Sequence, residues 1–198
     1  MSTPPRTRST VAAILLALAL TTGACSGDDE GKSEPTTPEA SASETTAPPV
    51  PTTVTIEKVS GRLPKEERTH LKKVAGDVVD AWFEAAYLGG DYPRKNFHDA
   101  FPGFTRGARS EARHDFALMS NAGIGSRIDG VVATRKRVKV DALAANRRAA
   151  GATARFVLVF KTTGQARRKL EVRGRLLLTR TASGWRIFGY DVTKGDAR

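Results

Sequence analysis

Three hydrophobic rhythms divide this chain. Residues 11–20, VAAILLALAL, are apolar without interruption. From Ser26 to Thr53, SGDDEGKSEPTTPEASASETTAPPVPTT, a single valine is the only large apolar residue and there is no aromatic one. Periodic patterning then begins. Leu71, Val74, Ala75, Val78, Val79, Trp82 and Ala86 recur at steps of three and four, which predicts an amphipathic helix from about Pro64 to Leu88. Pro64 suits its start and Gly89-Gly90 its end. A second, less regular helix is expected from about Gly107 to Ser120, with Ala108, Ala112, Phe116 and Met119 on one side. Between the two, DYPRKNFHDAFPGF sets four aromatics among two prolines, as a connecting segment that caps a core would.

After Asn121 the period becomes two. Val132, Thr134, Val138, Val140 and Ala142 share a parity broken only by Lys136. Further series are Ala152, Ala154, Phe156, Leu158 and Phe160; Leu170, Val172, Leu176 and Leu178; and Trp185, Ile187 and Gly189. The intervening ANRRAAG, KTTGQ and TASG are short and hold Gly or Asn, so successive strands are expected to be antiparallel neighbours. Their apolar face needs a partner, and the first helix supplies one. The expected fold class is α+β: N-terminal helices packed on a curved antiparallel sheet, over residues 57–198. Some 140 residues support one core and not two.

The unpatterned N-terminal part reads as targeting and spacing. Arg6 and Arg8, with no acid in the first ten residues, precede the apolar run as in a secretory signal. A ten-residue helix is about 15 Å long, half of a hydrocarbon core near 30 Å, and does not span it. The run gives way to Thr22-Gly23-Ala24-Cys25, and Cys25 is the only cysteine of the chain. This arrangement resembles the lipobox of bacterial lipoproteins at Gly23, Ala24 and Cys25; it departs from it at Thr22, where the family prefers leucine. The resemblance implies that residues 1–24 are removed and that Cys25 carries a lipid. One cysteine cannot form an intramolecular disulfide, and a second acyl chain makes anchoring stable where one is marginal. An ordinary cleaved leader and an uncleaved membrane anchor are the competing readings. Residues 25–56 are then a Thr/Pro/Glu-rich tether too polar to fold, of coil span about 30 Å. The expected location is the cell membrane, lipid-anchored and facing away from the cytoplasm.

Charge is segregated. From Glu57 to Arg198 there are 29 Lys and Arg against 15 Asp and Glu, a net of +14, whereas the tether is acidic. Arg135, Arg137 and Lys139 share a strand parity, as do Arg173 and Arg175, so adjacent strands are expected to show them as one basic sheet face. An exported domain meets little nucleic acid, which removes that class of partner. Anionic lipid, a cell-wall polymer or an envelope protein are the partners this face suits, beside the plainer reading of a solvated surface.

Helices followed by long antiparallel strands, with a first helix ending in DAWFEAAYLGG and a last strand GWRIFGYDV, resemble the cone-shaped nuclear transport factor two-like superfamily over about Pro64 to Lys194. The resemblance implies a cone interior that in enzyme members holds an Asp, His or Tyr for proton transfer. Candidates are Tyr87, Tyr92, His98, Asp99, His114, Asp115 and Asp191. Each also reads as a surface or structural residue, and His114 and Asp115 diverge by about 100° on a helix. Three scattered histidines give no metal-ligand spacing, and no glycine-rich phosphate loop is present, so no metal or cofactor is expected. Two readings follow. One is a non-catalytic binding or scaffolding lipoprotein; the alternative is a small-molecule-binding or isomerase/cyclase-like enzyme with an Asp or His in the cone.

Overall fold

The computed structural model describes residues 49–198. The expectations for the leader, for Cys25 and for most of the tether lie outside the described residues. Five strands, β1 (Thr53–Ser60), β2 (Val131–Ala145), β3 (Arg148–Thr162), β4 (Lys169–Thr181) and β5 (Gly184–Asp196), form one open sheet in chain order. β2 to β5 are an antiparallel meander, as the short turns predict. β1 instead pairs parallel to β2, so the sheet is mixed and not purely antiparallel. It starts at Thr53, inside the segment expected to be tether, and the folded part therefore begins before Glu57.

Helix α1 (Lys65–Phe83) runs into a π-turn over Glu84–Leu88, together filling the predicted span. Its Leu71, Ala75, Val79, Trp82 and Phe83 are buried against the inner sheet face. Gly76 is buried where β1 crosses: a Cβ there would lie 2.8 Å from the Val54 Cγ2, so the missing side chain lets strand and helix touch. The second predicted helix is broken in two. The Thr105 side chain caps α2 (Arg106–His114), and Asp115 then leaves helical geometry at φ −91°, ψ 28° before the single turn α3 (Phe116–Met119).

The space between helices and sheet is filled with aromatic rings. Trp82 meets Phe156 edge-on at 5.3 Å between centroids and Tyr87 at 5.5 Å, and Tyr87 lies 5.9 Å from Phe160. The connecting segment contributes Phe97, Phe101 and Phe104, all buried, and closes one end of the core. It also covers the outer edge of β5: Thr105 N–H donates to the Ile187 carbonyl, and Ile187 N–H to that of Gly103.

Two positions in the sheet depart from simple alternation or from ordinary strand geometry. A bulge at Thr134 shifts the β2 register, so that Val132 lies opposite Lys161 on the outer face and is 55% exposed, against the inward position its parity predicts. Gly174 in β4 sits at φ 153°, between Phe156 and Val192 on the neighbouring strands; an added Cβ would be 2.0 Å from the Asp191 carbonyl oxygen.

Candidate functional site

Strand register assembles the basic outer face. Lys139 pairs with Arg155 on β3, Arg155 with Arg175 on β4, and Arg175 with Asp191 on β5, one row across four strands. Two residues along, Arg137, Val157, Arg173 and Thr193 form the next row, and Arg135, Val159 and Glu171 the one after. All five predicted residues, Arg135, Arg137, Lys139, Arg173 and Arg175, thus share one face.

The face is not free positive charge. Lys139 bonds Glu57 at very short range, and Arg155 reaches both Glu57 (2.8 Å) and Asp141 (3.0 Å). Arg175 pairs with Asp191 at 3.0 Å and Arg173 with Glu171 at 3.7 Å. The hydrogen bond from Lys139, opposed by desolvation and aided by Arg155, holds the Glu57 carboxyl below its ordinary pKa. Asp141 and Glu57 together raise that of Arg155. Arg135 and Arg137 have no ion pair among the described residues and stay exposed. Arg155 and Glu57 were not singled out in the sequence. Arg155 was legible, because it alternates with Ala154 and Phe156 and so points outward; Glu57 was not, because β1 was unforeseen.

Lys136, which breaks the apolar parity, faces inward. Its side chain is only 7% exposed, and its ammonium donates to Asp80 (2.9 Å) and Glu84 (3.1 Å) on α1 and its π-turn. Burial opposes its charge, but the bonds from the two carboxylates outweigh that and hold its pKa above the ordinary lysine value. The Thr52 hydroxyl bonds the same Asp80, so the chain is clamped to α1 just before β1 begins. An open groove of about 1020 Å³ runs between residues 49–54 and α1, with Asp80, Glu84 and Lys136 in its wall.

The candidates for proton transfer do not converge. Tyr87 is fully buried, its hydroxyl donating to the Leu118 carbonyl at 2.7 Å, and burial pushes its pKa well up. Tyr92 donates to the Tyr87 carbonyl at 2.9 Å. His98 and Asp99 pair with each other at 2.9 Å on the surface, beside a shallow depression of about 230 Å³. His114 is exposed at the end of α2, Asp115 accepts from the Tyr190 hydroxyl at 2.8 Å, and Asp191 belongs to Arg175. Burial, together with the bond to Asp115, raises the Tyr190 pKa.

A second inward lysine closes the far end of the core. Lys194 donates to the carbonyls of Ala117 (2.8 Å) and Ser120 (2.6 Å), and burial, helped by the charge of Arg168, lowers its pKa to about 8. Nearby, Asn121 is buried; its amide donates to the Tyr87 carbonyl at 2.8 Å, while its Oδ1 has no partner among the described residues. Among the described residues no group of three or more His, Cys, Asp or Glu could hold a metal ion, and no helix is long and apolar enough to cross a membrane. No protein-family model, curated protein or solved structure matches the chain.

Proposed function

We propose that this protein is an exported lipoprotein, anchored through Cys25, whose folded domain is a non-catalytic module that rests its outer sheet face on an anionic envelope surface. The observation that carries the reading is the contrast between the two sheet faces. The inner face is closed by α1 and an aromatic core, and the groups suited to proton transfer are dispersed or bonded to the backbone. The outer face carries Arg135, Arg137, Lys139, Arg155, Arg173 and Arg175 in registered rows among the acids Glu57, Asp141, Glu171 and Asp191, with no helix packed over it among the described residues.

The arrangement of a long helix across a bent sheet supports membership of the nuclear transport factor two-like cone fold. So does Trp185, buried just after Gly184 at the start of the last strand. In that reading the cone is occupied by its own side chains, and the fold serves as a rigid carrier for the outer surface.

Two measurements test the proposal. Intact mass and peptide mapping of the protein from membranes should find diacylglyceryl-modified Cys25 at the N-terminus; an unmodified start elsewhere contradicts the anchor. The chain with Cys25→Ser should sediment with anionic vesicles or with purified wall polymer, and lose this when Arg135, Arg137, Arg173 and Arg175 become glutamate. Equal retention of both forms at low salt contradicts the role of the face.

A further inference from the structure

Lys139, Arg155, Arg173 and Arg175 are paired with acids of the same face, whereas Arg135 and Arg137 have no ion pair among the described residues and lie together where the N-terminal segment joins the sheet, with the equally unpaired Lys161 beyond them. In the β1–β2 ladder Thr53 is the partner of Arg137, which places the first residue of β1 one strand spacing, about 4.8 Å, from the Arg137 backbone. Arg135 lies two residues further along the same face. Val132, 55% exposed, follows after the bulge, opposite the exposed Lys161. The corner is held in place by Lys136, whose ammonium ties the same stretch of β2 to Asp80 on α1, and by Thr52, which bonds that carboxylate from the incoming chain.

We infer that this corner, with Arg135 and Arg137 as its phosphate-contacting pair and Val132 as its apolar contact, is where the domain docks on the anionic bilayer that carries its own anchor. The inference rests on the lipoprotein reading and assigns its partner and its residues. Guanidinium groups without an acid partner can take lipid phosphates by paired hydrogen bonds, whereas at Lys139, Arg155, Arg173 and Arg175 a phosphate meets charge already offset by Glu57, Asp141, Glu171 or Asp191. Position supplies the rest. Only 27 residues separate Cys25 from Thr53, so the chain between them reaches at most about 95 Å. That reach confines the corner to the neighbourhood of the bilayer, which favours a contact of two arginines and one valine. Docking by this corner needs no extension of the linker across the domain.

The test uses the full lipidated protein in vesicles of phosphatidylcholine with or without phosphatidylglycerol, treated with phenylglyoxal and mapped for arginine modification. On anionic vesicles in about 50 mM salt, modification of Arg135 and Arg137 should fall at least about 5-fold and recover in about 500 mM salt, while Arg106 on α2 stays unchanged. A companion measurement follows binding of the Cys25→Ser chain to the anionic vesicles: Arg135→Gln with Arg137→Gln should weaken it about 25-fold, and Arg173→Gln with Arg175→Gln less than about 3-fold. If anionic vesicles bind the chain but protection and loss fall on Arg173 and Arg175, the corner is wrong and the basic-face reading stands. If the chain prefers wall polymer and ignores the vesicles, the bilayer as partner is overturned. Should neither surface bind it, both the inference and the reading beneath it fail.

Discussion

Lys136 offers a sharp test of the energetics, because its burial and that of its partners are unequal. The lysine side chain is 7% exposed, whereas Asp80 and Glu84 are 37% and 49% exposed. Lys136→Met removes the desolvated charge and leaves two carboxylates that water can solvate. The lost pairs, with half-exposed partners, are worth about 1 kcal/mol together, and burial of the methionine offsets much of this. Asp80→Ala with Glu84→Ala does the reverse: it leaves a largely buried ammonium at the wall of the groove without its carboxylates and also removes the acceptor of Thr52. Stranding a buried charge costs about 3–5 kcal/mol. Urea unfolding of the full chain at neutral pH should therefore show the lysine variant within about 1 kcal/mol of the parent and the double acid variant further below it, by up to about 3–5 kcal/mol where the groove does not rehydrate the ammonium. The pH dependence carries an independent signature. In the parent the folded-state pKa of Lys136 is raised, so its contribution is complete below the ordinary value of 10.5 and is lost only as pH climbs past the folded value. Without the acids burial lowers that pKa, and the variant should regain stability as pH rises toward 10.5. A lysine variant less stable than the double acid variant would refute this reasoning.

Two further outcomes follow from the strand geometry. Gly174→Ala places a methyl group 2.0 Å from the Asp191 carbonyl oxygen at φ 153°, and should cost more than about 4 kcal/mol, read as loss of cooperative thermal unfolding. Lys194 has its pKa lowered from 10.5 to about 8, so the unfolded chain binds more protons than the folded one between these values and stability rises with pH across that window. The rise from this group is at most about 3 kcal/mol; it should be absent in Lys194→Met, compared by urea midpoints at pH values near 8 and 10.

The parts of the fold that repeat locally were legible in the chain. The steps of three and four from Leu71 to Ala86 marked α1, and the alternations after Asn121, separated by short Gly- or Asn-bearing turns, marked the meander. What escaped was non-local. β1 shows only Val54, Ile56 and Val59 half-buried, follows a Pro/Thr-rich stretch, and pairs in parallel with a strand more than 80 residues away, for which no turn signal exists. The bulge at Thr134 exchanges inside for outside at Val132, and parity alone cannot register one extra residue.

The site shows the same division. Alternation was enough to gather the five basic residues on one face. Most of their pairing was hidden, because it depends on Glu57 in the unforeseen β1 and on cross-strand register for Asp141 and Asp191, whereas Glu171, two residues from Arg173 on the same strand, was legible from parity. Lys136 stood out as a break in an apolar series, but its partners lie 56 and 52 residues earlier. Arg135 and Arg137 are among the cations of that face that have no acid partner among the described residues.

The central claim is that the outer face meets an anionic surface by charge. Binding of the Cys25→Ser chain to phosphatidylglycerol-containing vesicles, titrated with salt, tests it most directly. The account predicts binding that weakens steadily between about 50 and 500 mM salt and is absent on pure phosphatidylcholine. Binding that is indifferent to salt and to lipid charge would contradict it.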